Sequence, residues 1–275
     1  KTVADKYEII HRTGGSDACT NYLAKEIRIN KYRIMKIGHK KSTQYSPYMR
    51  QFLLEEAAKV RDLSHPAIPK AVDIIETESY ICVAWEYVPG DTLETLVQKN
   101  GPQPVDRVID WGRQLCDVLS YLHRQKPPRI YRDMRPYNVI LTADGTLKLA
   151  DCDVMRTYKP GKRGDTCMLG TRGYAAPEQF GSMGQTDART DIYALGVTMH
   201  RLVTGVDPSG PLFDLEPIRS YDPRLPEGLE YIISKCTQRN PADRYQTCAQ
   251  LLADLNQYTS LPKPKGFFSS LFGRK

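Results

Sequence analysis

The chain has 275 residues, 40% hydrophobic and 26% charged, with 39 Lys and Arg against 32 Asp and Glu for a net charge of +7. This composition excludes extensive disorder, and the length allows one large or two ordinary domains around a buried core. The positive balance suits an anionic ligand or surface but is also ordinary for a soluble protein. Seven cysteines, at 19, 82, 116, 152, 167, 236 and 248, include no C-x-x-C pair. Neither a zinc site nor a disulfide framework is therefore expected, and a reducing, cytoplasmic setting is the simplest. No apolar run approaches the roughly 20 residues that span a bilayer, and the opening KTVADKYEII lacks the n-region and h-region of a signal peptide. The first residue is Lys rather than Met, so the chain reads as an excerpt of something longer.

In chain order, YLAKEIRI and YRIMKIG alternate apolar and polar residues and predict two strands joined at Asn30-Lys31. SPYMRQFLLEEAAKVRDLSH then changes period. It predicts a helix with Pro47 near its start and Phe52, Glu56, Lys59 and Leu63 on one face. SYICVAWEYV returns to strand. After Pro89-Gly90 the character becomes helical, and PVDRVIDWGRQLCDVLSYLHRQ places Val105, Ile109, Leu115, Leu119 and Leu122 on one stripe. Further helices are expected at ARTDIYALGVTMHRLVTG, GLEYIISKCTQ and TCAQLLADLNQY. A small strand-rich half thus meets a larger helix-rich half near residue 88, and such boundaries favour ligand sites. The end, SLPKPKGFFSSLFGRK, combines four cationic residues with Phe267, Phe268, Leu271 and Phe272 and has no acidic residue. It reads as a linker, or else as a segment that contacts a membrane surface or a partner.

A Lys on a strand (Lys36), a Glu on the following helix (Glu56), YRDMRPYN, LADCD, GYAAPE and Arg244 occur in an order that resembles the protein kinase family over nearly the whole chain. GTRGYAAPEQFG and RTDIYALGVTMHRLVTG look most like bacterial serine/threonine kinases. The resemblance implies an α+β, bilobal, protein-kinase-like fold over residues 1–260. A small lobe of antiparallel sheet plus one helix would occupy about 1–87, a larger helical lobe about 91–260, and 261–275 would be a basic, aromatic linker or tail.

The resemblance also implies roles for individual residues. Lys36 would hold nucleotide phosphates and Glu56 would orient it. Asp133 would accept or orient the proton of the attacking hydroxyl. Asn138 and Asp151 would hold Mg²⁺, with Mn²⁺ as the alternative ion. Taken singly, each of these residues is more often a surface ion pair, turn or cap, and it is their agreement that gives them weight. Gly14, Ile34, Lys36, Trp85, Glu86, Val88 and Ile140 would line the nucleotide site. Arg135 stands where serine/threonine kinases usually carry a Lys, keeping the charge as a planar fork, and Thr171 stands where they place a Thr beside the catalytic loop. Arg132 would pair with a phosphorylated segment, for which Thr157 and Thr166 are candidates near Lys159, Lys162 and Arg163. Glu178 with Arg244 would form a buried ion pair, Asp191 would brace the catalytic loop, Gly196 would allow close helix packing, and His65 would be a hydrogen-bonded contact rather than a catalyst.

The sequence departs from the family pattern at several places. The glycine-rich loop reads GGSDACTN, with Asp17 adding negative charge. Polar Asn21 and the larger Ile34 stand where the family places a Val and an Ala around adenine, and bulky Trp85 guards the back of the pocket. Tyr131 replaces the usual His, and DCD at 151–153 replaces D-F-G. Two function classes follow. One is an ATP-dependent serine/threonine protein kinase acting on protein hydroxyls. The other is a pseudokinase that serves as a binding or allosteric module with weak or absent nucleotide affinity. Small-molecule phosphotransferases share the Asp-x-x-x-x-Asn loop, but GYAAPE and the long activation segment argue against them. Protein substrate and ATP are the expected partners, nucleic acid is not expected, and the oligomeric state is open.

Overall fold

The computed structural model describes residues 1–44, 46–150, 155–158, 171–180, 185–210 and 213–261. In chain order the elements are β1 (Thr2–Val3), β2 (Tyr7–Gly15), β3 (Cys19–Glu26), β4 (Lys31–His39), α1 (Pro47–Arg61), β5 (Ala71–Glu76) and β6 (Tyr80–Glu86). They continue with β7 (Asp91–Thr92), α2 (Leu93–Asn100), α3 (Val105–His123), β8 (Arg129–Ile130), β9 (Val139–Leu141), β10 (Leu147–Leu149) and β11 (Arg156–Thr157). The last helices are α4 (Ala188–Thr204), α5 (Ile218–Tyr221), α6 (Glu227–Cys236) and α7 (Cys248–Asn256). Two compact units form: Lys1–Gly90 with Thr142–Asp153, and Asp91–Leu141 with Val154–Lys275.

The first unit is an antiparallel sheet of order β1-β2-β3-β4-β6-β5. Alternation sorts its side chains onto two faces. Ala24, Met35, Ile37, Cys82 and Ala84 join Val3 and Tyr7 in one buried cluster. The opposite face carries Lys36 and, two residues on, Gly38, which lets α1 come close: a Cβ at Gly38 would meet Leu53 Cδ1 at 3.1 Å and Ile81 Cγ2 at 3.2 Å. Ser46 caps α1 by accepting from the Tyr48 amide, and Pro47 takes the first helical position, where a missing N–H costs nothing.

Two expectations shift by a small step. The β3–β4 turn lies at Ile27–Asn30 rather than Asn30-Lys31, because Glu26 already pairs with Lys31. Asn30 takes φ 56°, a left-handed value that Asn tolerates better than most residues. On α1 the buried stripe is Leu53, Glu56, Ala57 and Val60, while Phe52 is 45% exposed. Glu56 belongs to both stripes and Leu63 is buried as expected; packing against the sheet turns Leu53 inward in place of Phe52.

The second unit is mainly helical. α3 buries Ile109, Leu115, Leu119 and Leu122 of the predicted stripe, together with Val108, Trp111, Cys116 and Val118, while Val105 at its start is only half-buried. α4 is buried on every side over Thr190–Val203, the signature of a central helix. Gly196 makes that possible, since a Cβ there would fall 2.4 Å from Cys236 Cβ on α6. The helix α2 was not legible separately: it buries only Leu93 and Val97, too few for a periodic signal.

Candidate functional site

The candidate residues fall into two groups, one in each unit. In the first, Asn21 pairs across the sheet with Lys36 and Lys36 with Val83, while Leu23 pairs with Ile34 and Ile34 with Trp85. Asn21, Ile34, Lys36 and Trp85 therefore share one face. The Lys36 ammonium is ion-paired with the buried Glu56 carboxylate on α1. It also lies 5.7 Å from the centroid of the Trp85 ring, a cation–π distance. Trp85 is buried, and its Nε1 has no hydrogen-bond partner among the described residues. Glu86 is tied to Lys70, its amide donating to Lys70 O at 2.9 Å and its carboxylate accepting from the Lys70 amide at 3.0 Å. Val88 follows, half-buried, beyond the end of β6.

The GGSDACTN stretch forms the closed tip of the β2–β3 hairpin. Gly14 pairs with Asn21 and Gly15 with Thr20. Gly15 takes φ +94°, and a Cβ there would lie 2.3 Å from Cys19 O, so this second glycine, rather than Gly14, is the one the turn requires. The Ser16 amide donates to Cys19 O at 2.8 Å, and Arg12 Nη2 donates to Gly15 O at 2.7 Å. Asp17 is exposed at the tip. Cys19 sits on the Lys36 face, where burial pushes its thiol pKa up against the opposing pull of Lys36.

In the second unit the loop after β8 organises Asp133 completely. Thr171 Oγ1 donates to Asp133 Oδ1 at 2.8 Å, and Asn138 Nδ2 donates to Asp133 Oδ2 at 2.6 Å and to Asp133 O at 3.0 Å. Arg135 Nε stands 3.4 Å from Asp133 Oδ2, an ion pair without hydrogen-bond geometry, while its guanidinium stacks over Tyr137 at 5.1 Å. Because both contacts to Asp133 use the Asn138 amide nitrogen, the hard Oδ1 remains for a cation, which fits Mg²⁺. Ile140 lies half-buried on β9, paired with Thr92. Asp151, Cys152, Asp153, Lys159, Lys162, Arg163 and Thr166 lie outside the described residues. Among those described, no group of three His, Cys, Asp or Glu could hold a metal ion, and no helix is long and apolar enough to cross a membrane.

The loop is held from beneath by Asp191, whose Oδ2 accepts from the Tyr131 amide at 2.9 Å and whose Oδ1 accepts from the Arg132 amide at 2.7 Å. Arg132 adopts φ 69°, a strained value for a long side chain, which this anchorage enforces. His123 was not singled out from the sequence, although a His in the last turn of a helix is a recognisable signal. Its Nε2 lies 2.7 Å from Asp191 Oδ2. Burial lowers its pKa, but the Asp191 hydrogen bond and charge outweigh burial and raise it from 6.5 to about 10. The resulting stability is complete below pH 6.5, where both states are charged, and is lost as pH rises through about 10. The urea midpoint should therefore fall across that window, and His123→Gln should flatten the fall. An equal slope in the variant would exclude His123 as its source.

Thr157 accepts from Arg129 Nη1 at 3.0 Å, and His65 Nδ1 accepts from the Ala67 amide at 3.1 Å. Arg244 forms a bidentate pair with Glu178, at 2.7 and 2.9 Å.

The profile of the protein kinase domain matches residues 7–255. This chain belongs to the protein kinase family. Its relatives include PrkC, a serine/threonine-protein kinase of Bacillus subtilis, 27% identical over 93% of this chain and 41% of that protein. The serine/threonine-protein kinase PknB of Mycobacterium tuberculosis is 28% identical over 92% and 43%, and a probable serine/threonine-protein kinase of Clostridium perfringens is 26% identical over 95% and 39%. The kinase domain thus spans about two fifths of the length of these relatives. The crystal structure of the M. tuberculosis PknI kinase domain matches with a TM-score of 0.71 at 24% identity, over 94% of this chain and 98% of that one, a likeness of fold. The two-part α+β architecture expected from the sequence is the kinase fold.

Proposed function

We propose that this chain is the catalytic domain of an ATP-dependent serine/threonine protein kinase, working in the cytoplasm, that transfers the γ-phosphoryl group to protein hydroxyls. The observation that carries the proposal is the Asp133 carboxylate, held at one oxygen by Thr171 and at the other by Asn138. Such a carboxylate is oriented to accept a proton from an attacking hydroxyl and is kept ready by its neighbours. Arg135 would place positive charge beside the transferred phosphoryl group, and Lys36, steadied by Glu56, would hold the nucleotide phosphates. Asn138 Oδ1 and Asp151 would hold Mg²⁺, which supplies charge neutralisation on the phosphate oxygens. Incubation with labelled ATP and magnesium should label the chain or a generic basic protein, and an Asp133→Asn control should not. Absence of label together with absence of an ATP-induced thermal shift would sink the proposal.

A second reading, a pseudokinase, is favoured by one observation. Trp85 packs beside the Lys36 ammonium on the face that also carries Asn21 and Ile34. If this indole narrows the nucleotide site, Trp85→Met should tighten ATP binding by about tenfold, roughly 1.4 kcal/mol, measurable by calorimetry. The fold should tolerate the change, since it removes a buried N–H that has no partner among the described residues. Unchanged affinity would shift the obstacle to the Gly15–Cys19 tip.

A further inference from the structure

The second unit holds a cavity of about 580 Å³ that none of the residues above uses. It lies among α4, the chain around α5, α6 and the turn before Arg244, and its size is that of a ligand pocket. Its polar lining mixes hydroxyl and amide groups, which can donate or accept, with a set of groups that only accept. His200, on α4, is 2% exposed, and its Nε2 lies 2.8 Å from the Glu216 carbonyl. A carbonyl only accepts, so Nε2 carries the proton and Nδ1 of the neutral ring is left as an acceptor. That Nδ1 is buried with no hydrogen-bond partner among the described residues. Burial lowers the His200 pKa, which keeps the ring neutral. Asp214, Glu216 and Asp243 add three exposed carboxylates, against the single cation Arg239. Glu230 is already engaged by the Arg219 amide at 2.9 Å. Phe213, Leu215, Ile218 and Ile233 supply apolar walls. Phe213 takes φ 62°, a conformation that a bulky residue rarely adopts.

Acceptors, negative charge and apolar walls call for an occupant that donates N–H, is cationic and carries large apolar side chains. On a chain of net charge +7, an acidic pocket is a local inversion. The sequence contains one segment of matching chemistry that no role above absorbs: Lys263, Lys265, Phe267, Phe268, Leu271, Phe272, Arg274 and Lys275, with no acidic residue among them. It begins within reach. Tyr258 and Leu261 pack on Gly228 in the first turn of α6, the helix that presents Ile233, Ser234 and Thr237 to the cavity. Gly228 to Thr237 is about 14 Å at ~1.5 Å per residue, whereas the residues after Leu261 could extend over ~45 Å at ~3.3 Å each. We propose that the cavity is the docking site of this chain's own basic, phenylalanine-bearing segment, residues 263–275.

The test uses the full chain with the photo-cross-linker p-benzoylphenylalanine at position 268, and its outcome is independent of phosphoryl transfer. Irradiation should join position 268 to residues 213–218 or 233–243 of the same molecule, with a yield independent of protein concentration. Glu216→Lys with Asp243→Lys should cut the yield about tenfold through like-charge repulsion, and adding Lys263→Glu with Lys265→Glu should restore it. That rescue separates docking from a folding defect. Cross-links elsewhere on the chain, cross-links only between two molecules, or a yield indifferent to the charge reversals would each overturn the proposal.

Discussion

Asp133→Asn should lower kcat by about 10²–10⁴-fold, the range for removing a positioned general base, while nucleotide affinity stays within a few-fold of the parent. The substitution is nearly isosteric and its new amide can be accommodated. The amide oxygen can still accept from Asn138 Nδ2, now 2.6 Å from the carboxylate, and the amide nitrogen can donate to Thr171 Oγ1, now 2.8 Å away. Geometry survives, but the proton acceptor and the negative charge facing Arg135 are lost. Thr171→Val tests the other half of the arrangement. It removes one hydrogen bond to a charged group, on the order of 1.5–3 kcal/mol, so kcat should fall about 10- to 100-fold with the base still present. Single-turnover transfer of labelled phosphate distinguishes the two. Retention of parental kcat by Asp133→Asn would exclude Asp133 as the base and support the pseudokinase reading of any residual label.

The contrast between these two residues shows what the sequence could and could not convey. Asp133 and Asn138 are five positions apart, so their contact is nearly local and the YRDMRPYN spacing encodes it. Thr171 lies 38 positions away from Asp133, and only the family resemblance put it beside the loop. The strands and long helices were legible because alternation and the 3.6-residue repeat act over short windows. The phase of α1 was not, because Phe52 and Leu53 are equally apolar and the choice is made by the sheet that packs on the helix. In the glycine-rich stretch the resemblance pointed to Gly14, while the turn depends on Gly15, whose positive φ belongs to the backbone and leaves no mark in a motif. His200 was silent for a related reason: it is defined by the Glu216 carbonyl, 16 positions away, and not by its immediate sequence neighbours.

The largest stability loss should come from Arg244→Leu, about 3–5 kcal/mol, read as a lower urea midpoint with an unchanged slope. The Arg244 side chain is fully buried and spends every group. Two donors meet the Glu178 carboxylate at 2.7 and 2.9 Å, and others meet the carbonyls of Gln238, Arg189 and Arg239 at 2.7–3.0 Å. Its guanidinium also lies 4.8 Å from the Tyr193 ring centroid. Leu fills part of the volume but leaves Glu178 as a buried carboxylate whose remaining hydrogen-bond partner among the described residues is Thr190 Oγ1 at 2.9 Å. Most of the loss is thus the desolvation of an uncompensated charge, not the attraction of the pair itself. That distinction is testable, because the double variant Glu178→Leu with Arg244→Leu removes both charges. It should be more stable than Arg244→Leu alone, and with Glu178→Leu measured as well the cycle gives the coupling energy between the two positions. A double variant no more stable than the single one would assign the loss to the three orphaned carbonyls instead, and so make Arg244 chiefly a clamp on the turn that follows α6.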